Sequence, residues 1–83
     1  MNLYVKNLDY KIEDSELKGL FTPLGKVKSI RIVRDKITGI GKGYGFVEMI
    51  NEREALNAIS ELNETTFKNR LISVSKAIPQ LSM

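Results

Sequence analysis

The sequence contains no cysteine and no histidine among its 83 residues. Without cysteine there is no disulfide framework, and without either residue no ordinary zinc site. The lack of histidine also removes the commonest general acid, base and nucleophile partner. Most familiar small-enzyme chemistries are excluded by that composition. A reducing compartment is compatible with the lack of cysteine. No long apolar run is present, and the first ten residues carry Lys6 and Asp9. Neither a signal peptide nor a membrane span is therefore expected, and the chain is placed in the cytoplasm.

Eighty-three residues make one small domain, near the lower limit for a self-sufficient core. The net charge is only +3, but its distribution matters more than its sum. Lys26, Lys28, Arg31, Arg34, Lys36 and Lys42 stand against Asp35 alone in one central stretch. The segments with helical periodicity are instead acid-rich, with Glu13, Asp14 and Glu16 in one and Glu52, Glu54 and Glu61 in the other. A charge run is ordinarily just a solvated face. That reading loses weight where the cations fall beside exposed aromatics.

Such aromatics lie in Lys42-Gly43-Tyr44-Gly45-Phe46-Val47-Glu48-Met49. Read with the period of a strand, this stretch puts Tyr44, Phe46 and Glu48 on one face and Gly45, Val47 and Met49 on the other. Glu48 has no reason to be buried, so its face is the wet one. Leu3-Tyr4-Val5-Lys6-Asn7-Leu8 repeats the arrangement, with Leu3 and Val5 on one face and Tyr4 beside charged Lys6 on the other. If the two strands are antiparallel neighbours, Tyr4, Tyr44 and Phe46 form an exposed patch rimmed by Lys6 and Lys42. Exposed apolar patches of this kind mark binding surfaces. Flat rings flanked by cations suit unstacked nucleobases and their phosphates.

The octamer from Lys42 resembles that of the RNA recognition motif family, and Leu3 to Leu8 resembles its companion hexamer. Met49 departs from the family's usual aromatic, but its parity points inward, so the difference falls on core packing. The resemblance implies a ferredoxin-like α+β sandwich of βαββαβ order. Its four-stranded antiparallel sheet has strand order 4-1-3-2 and carries both helices on one face. It implies further that Tyr4 and Phe46 each carry a stacked base, that Tyr44 packs against sugars, and that Lys42 meets a phosphate. No cofactor or metal is implied.

The rest of the chain suits that order. Leu17, Leu20, Phe21 and Leu24 recur at helical spacing, predicting a helix over about residues 14–22 that Pro23 and Gly25 end. Residues 27–34 read as a strand with Ile30 and Ile32 inward and Arg31 and Val33 outward. Val27 breaks parity there, which predicts either a bulge near Ser29 or a late strand start. Ile37 and Ile40 are unexpected in the glycine-containing loop that follows; Ile40 either touches the ligand or is simply tolerated. Asn51 and Glu54 have capping-box spacing before a helix over 52–62, whose apolar stripe leaves Leu56 aside. Asn63 and Asn69 stand at positions suited to left-handed backbone. Residues 70–76 form the last strand, with Ser73 and Ser75 on the aromatic face. The domain is read as residues 1–77, followed by a short extended or mobile tail, 78–83.

Gly43 and Gly45 are read as structural, letting helices approach the strand closely. Base edges are within reach of Lys6, Arg31, Glu48, Ser73, Ser75 and the backbone near Lys76 and Ala77. Glu48 either accepts from a base amino group or merely offsets nearby lysines. The expected partner is single-stranded RNA, bound by a monomer, with single-stranded DNA an alternative occupant of the same platform. A protein-interaction module on the same fold is a second alternative. An acylphosphatase-like enzyme is not expected, since residues 7–13 hold neither glycine nor arginine. A short chain built around one motif resembles small bacterial single-domain RNA-binding proteins, which implies post-transcriptional regulation or RNA chaperoning.

Overall fold

The computed structural model describes residues 1–78. Its elements run β1 (Asn2–Lys6), α1 (Asp14–Phe21), a 3-10 turn (Thr22–Leu24), β2 (Val27–Arg34), β3 (Gly41–Met49), α2 (Glu52–Leu62), β4 (Thr65–Phe67) and β5 (Arg70–Lys76). All strand pairs are antiparallel, in the order β2-β3-β1-β5-β4. The four long strands take the expected arrangement. A fifth, the short β4, extends the sheet beyond β5, which the sequence reading did not include. The tail beyond Ile78 lies outside the described residues.

Alternation along the strands separates the two faces. Leu3 and Val5 of β1, Val47 and Met49 of β3, and Ile72 and Val74 of β5 are buried. They join Leu17 and Phe21 of α1 and Ala55 and Ala58 of α2 in one core. Both helices therefore cover the same side of the sheet. Met49 is fully buried, as its parity demanded.

Local chemistry fixes the helix ends. Glu16 turns back to accept from the Glu13 amide at 2.9 Å, satisfying a donor at the start of α1. The regular helix stops at Phe21, and Pro23 continues it only as the 3-10 turn. At α2, Asn51 Oδ1 accepts from the Glu54 amide at 2.9 Å. Only that half of the expected capping box is made, because the Glu54 carboxylate accepts from the Lys26 amide at 3.2 Å instead.

The bulge expected near Ser29 is present as a register shift of β2 against β3 between Val27 and Ser29, and a second shift, between Ile32 and Arg34, was not expected. Two other expectations are corrected. Asn63 is not left-handed: its Oδ1 accepts from the Val74 amide at 2.9 Å. That bond holds Asn63 at φ −62°, and Glu64 takes the positive φ of 61°. Asn69 does adopt positive φ, at 66°. Lastly, the glycines of β3 do not serve helix approach. A Cβ on Gly45 would lie 2.7 Å from the Arg31 carbonyl oxygen of β2, and one on Gly43 would lie 3.0 Å from the Tyr10 ring.

Candidate nucleic-acid interface

The β1–β3 register sets Tyr4 opposite Phe46 and Lys6 opposite Tyr44. All three rings lie on the face away from the helices, each half-buried by its neighbours. Tyr4 and Phe46 are nearly parallel, 20° apart with centroids at 5.3 Å. Tyr44 meets both edge-on, at 5.8 Å from Tyr4 and 6.4 Å from Phe46. The result is a cluster with ring faces and edges open to solvent, mutually braced before any ligand arrives.

Neighbouring strands continue this face. Arg31 of β2 lies opposite Phe46, and Ser75 and Ser73 of β5 lie opposite Tyr4 and Lys6. Lys6 Nζ sits 5.8 Å from the Tyr4 ring centroid, within cation–π range. Lys42 is exposed at the start of β3. Glu48 is engaged by its own neighbours: Ser29 Oγ donates to it at 3.3 Å, and Lys28 Nζ is 3.8 Å away. Lys76 pairs with Leu3 and so shares the inward parity of Ile72 and Val74. Its side chain is turned from the rings. The adjoining Ala77 amide is already used, donating to the Asn2 carbonyl at 2.9 Å.

At the β2 end, a shallow basic groove runs between Arg31, Arg34, Lys36 and Lys42. Its loop is held by Asp35, whose carboxylate accepts from the amides of Ile37 at 2.8 Å and Thr38 at 3.0 Å. Those bonds, Thr38 first, hold the Asp35 carboxyl below the usual carboxylate range. Ile37 lines the groove and is 94% exposed, while Ile40 is also exposed.

A second hollow adjoins the rings on the opposite side of Lys42, and the sequence reading passed over three residues that shape it: Asn7, Tyr10 and Arg70. Arg70 Nε donates to the Asn7 carbonyl at 3.0 Å, and Nη2 to Asn7 Oδ1 at 2.6 Å. The same guanidinium lies 5.4 Å from the Tyr10 ring centroid. The backbone of Tyr10 is itself tied to β3, its carbonyl accepting from Gly41 at 2.9 Å. No alternation places Tyr10, which lies in a loop. The one local signal is Asn7, a residue tolerant of the positive φ of 63° it adopts.

Among the described residues, no group of acidic side chains is arranged to hold a metal ion. No helix among them is long and apolar enough to cross a membrane.

Comparison with known proteins adds independent information. The family model described as RNA recognition motif matches residues 3–73. A Sex-lethal homolog from Megaselia scalaris is 45% identical over 78 residues, covering 94% of this chain and 24% of that protein. The chain thus spans about a quarter of the length of that relative. The crystal structure of RNA Binding Protein PG1 is similar with a TM-score of 0.91 and 42% identity, over 94% of both chains. A structure described as an Sxl-lethal protein/RNA complex is similar with a TM-score of 0.87 and 38% identity, over 92% of this chain and 47% of that one. These relatives lend no support to the bacterial comparison drawn from the sequence.

Proposed function

The chain belongs to the RNA recognition motif family, and from that premise we propose that its bare sheet face binds a short single strand of RNA. The family is one of RNA-binding modules rather than enzymes. The observation that carries the proposal is the gathering of Tyr4, Tyr44 and Phe46 on the side of the sheet that no helix covers. The similarity to an Sxl-lethal protein solved with RNA supports the same occupant.

In this reading Tyr4 and Phe46 each carry a base, Tyr44 packs against the sugars between them, and Lys42 meets a phosphate. Each stack contributes about 1–3 kcal/mol. Two stacks with a few phosphate contacts reach micromolar affinity, on the order of −8 kcal/mol. Stacking accepts any base, so sequence preference falls to Lys6, Arg31, Glu48, Ser73 and Ser75 around the rings. The corresponding biological role is post-transcriptional regulation or RNA chaperoning.

Titration of a fluorescently labelled mixed-sequence RNA tests the proposal. Saturable binding that weakens as salt rises is expected. Phe46→Ala should weaken it about tenfold or more, with the amide spectrum of the folded domain retained because the ring lies outside the core. Absence of saturable RNA binding at low salt would overturn the proposal and leave a protein-docking role for the same face. Equal affinity for the matching single-stranded DNA would place discrimination outside this surface, since only contacts to the 2′-hydroxyl separate the two.

A further inference from the structure

Lys42 meets one phosphate in that reading, and the strand's next phosphate needs a holder as it leaves the rings. The hollow beyond Tyr44 has the chemistry for this. Lys6, Lys42 and Arg70 line it together with Tyr10 and Asn7, and among the described residues no acidic side chain lines it. Three cations around one small depression repel one another, a cost that an anion between them would relieve.

Arg70 is also held as a ligand should be. Of its five N–H donors, one on Nε and one on Nη2 are spent on Asn7, at 3.0 and 2.6 Å. The Tyr10 ring covers part of the guanidinium, with a centroid distance of 5.4 Å. Asn7 can play its part only because it adopts φ 63°, and its Nδ2 donates to the Leu71 carbonyl at 2.8 Å. The guanidinium is thus fixed in orientation, and among the described residues its three other donors are unspent. A fixed guanidinium loses little entropy when it meets a phosphate.

We propose that Arg70 joins Lys42 in a phosphodiester-binding corner beside the aromatic platform, with Asn7 and Tyr10 as the residues that position Arg70. This rests on the reading of the face as an RNA-binding surface and extends it by one strand-guiding site. The corner fixes the direction in which the strand exits, along the side of Tyr44 and over the loop that carries Tyr10.

The test measures affinity for a labelled mixed-sequence single-stranded RNA over a series of salt concentrations. Wild type, Phe46→Ala, Arg70→Gln and Asn7→Gly are compared. Arg70→Gln should weaken binding about tenfold at low salt, as expected for a lost charge-assisted contact. It should also make the logarithmic salt dependence shallower by about 0.7, the value for one phosphate contact on a single strand. Asn7→Gly keeps the backbone conformation, the charge of Arg70 and the Nε bond to the residue-7 carbonyl, but removes the Oδ1 partner that fixes Nη2. It should weaken binding roughly threefold or more while leaving the salt slope as in wild type. If Arg70→Gln fails to fold, Asn7→Gly decides alone. Wild-type affinity in the folded variants, alongside a weakened Phe46→Ala, overturns the corner and leaves the platform standing. If Phe46→Ala binds like wild type, or nothing binds, the platform fails and the corner fails with it.

Discussion

Tyr4 and Phe46 brace one another across the β1–β3 pair, their ring planes 20° apart and their centroids separated by 5.3 Å. The two proposed base platforms are therefore one contiguous surface rather than separate posts. Truncating either ring removes the neighbour that holds the other. Tyr4→Ala and Phe46→Ala should each weaken RNA binding by about 1–3 kcal/mol, and the double variant should differ from their sum by at least about 0.5 kcal/mol. Calorimetric titration of the four proteins of this cycle measures the coupling. Strict additivity would mean that the rings act independently.

Two glycines should respond oppositely to alanine. At Gly45 the new Cβ would lie 2.7 Å from the Arg31 carbonyl oxygen and 3.2 Å from Ile32 Cα, both backbone atoms that cannot swing aside. Gly45→Ala should cost about 1–3 kcal/mol. At Gly19, inside α1, nothing lies within 4 Å of the added methyl. Gly19→Ala should stabilise by roughly 0.5–1 kcal/mol through helix propensity alone. Urea unfolding of the two variants checks both signs.

Core and platform aromatics should also separate cleanly. Phe21 is fully buried beneath the sheet. Phe21→Ala should cost about 3–5 kcal/mol, a large fraction of the stability of a domain this small. Phe46→Ala should instead lose RNA binding with a far smaller change in the urea midpoint. A comparable loss of stability from the two substitutions would contradict the assignment of faces.

Stability should fall at both extremes of pH. The Lys68 ammonium, 2.6 Å from Glu16, holds that carboxyl below its ordinary value, helped by the Glu13 amide. The amides of Thr38 and Ile37 do the same for Asp35. A lowered folded-state value means stabilisation that is complete above the unfolded carboxylate pKa, about 4, and lost as pH falls through the folded value. Lys68 is raised by its hydrogen bond to Glu16, so its contribution is complete below the ordinary lysine pKa, about 10. That contribution is lost only as pH rises through the raised value. None of the three groups is buried, so the changes will be small. Urea midpoints across pH should show less acid loss in Glu16→Gln than in wild type; an identical acid limb would dismiss the pair as a contributor.

What the sequence disclosed about this fold was what alternation and spacing can encode. Tyr4 against Leu3 and Val5, and Phe46 against Val47, announce two faces because strand neighbours point opposite ways. The bounds of α2 follow from Asn51 and the apolar stripe behind it. β4 escaped notice because Thr65–Phe67 is too short to show a period, and it forms only by pairing with β5. The left-handed turn fell on Glu64 and not on Asn63 because of a hydrogen bond from Val74, which no local pattern contains. Asn7 and Arg70 stand 63 residues apart, and only the β1–β5 register brings them together. Tyr10, in a loop, had no parity to read.

The borders of the sheet bear on how such a surface can be tolerated. β2 forms one border, and the register shifts flanking Lys28 and preceding Arg34 interrupt its pairing rhythm, with cationic side chains along its length. The other border is β4, only three residues long. Neither offers a long straight row of amides on which another copy could template itself. The molecule can leave adhesive rings uncovered in solution while its flanks discourage growth into fibres.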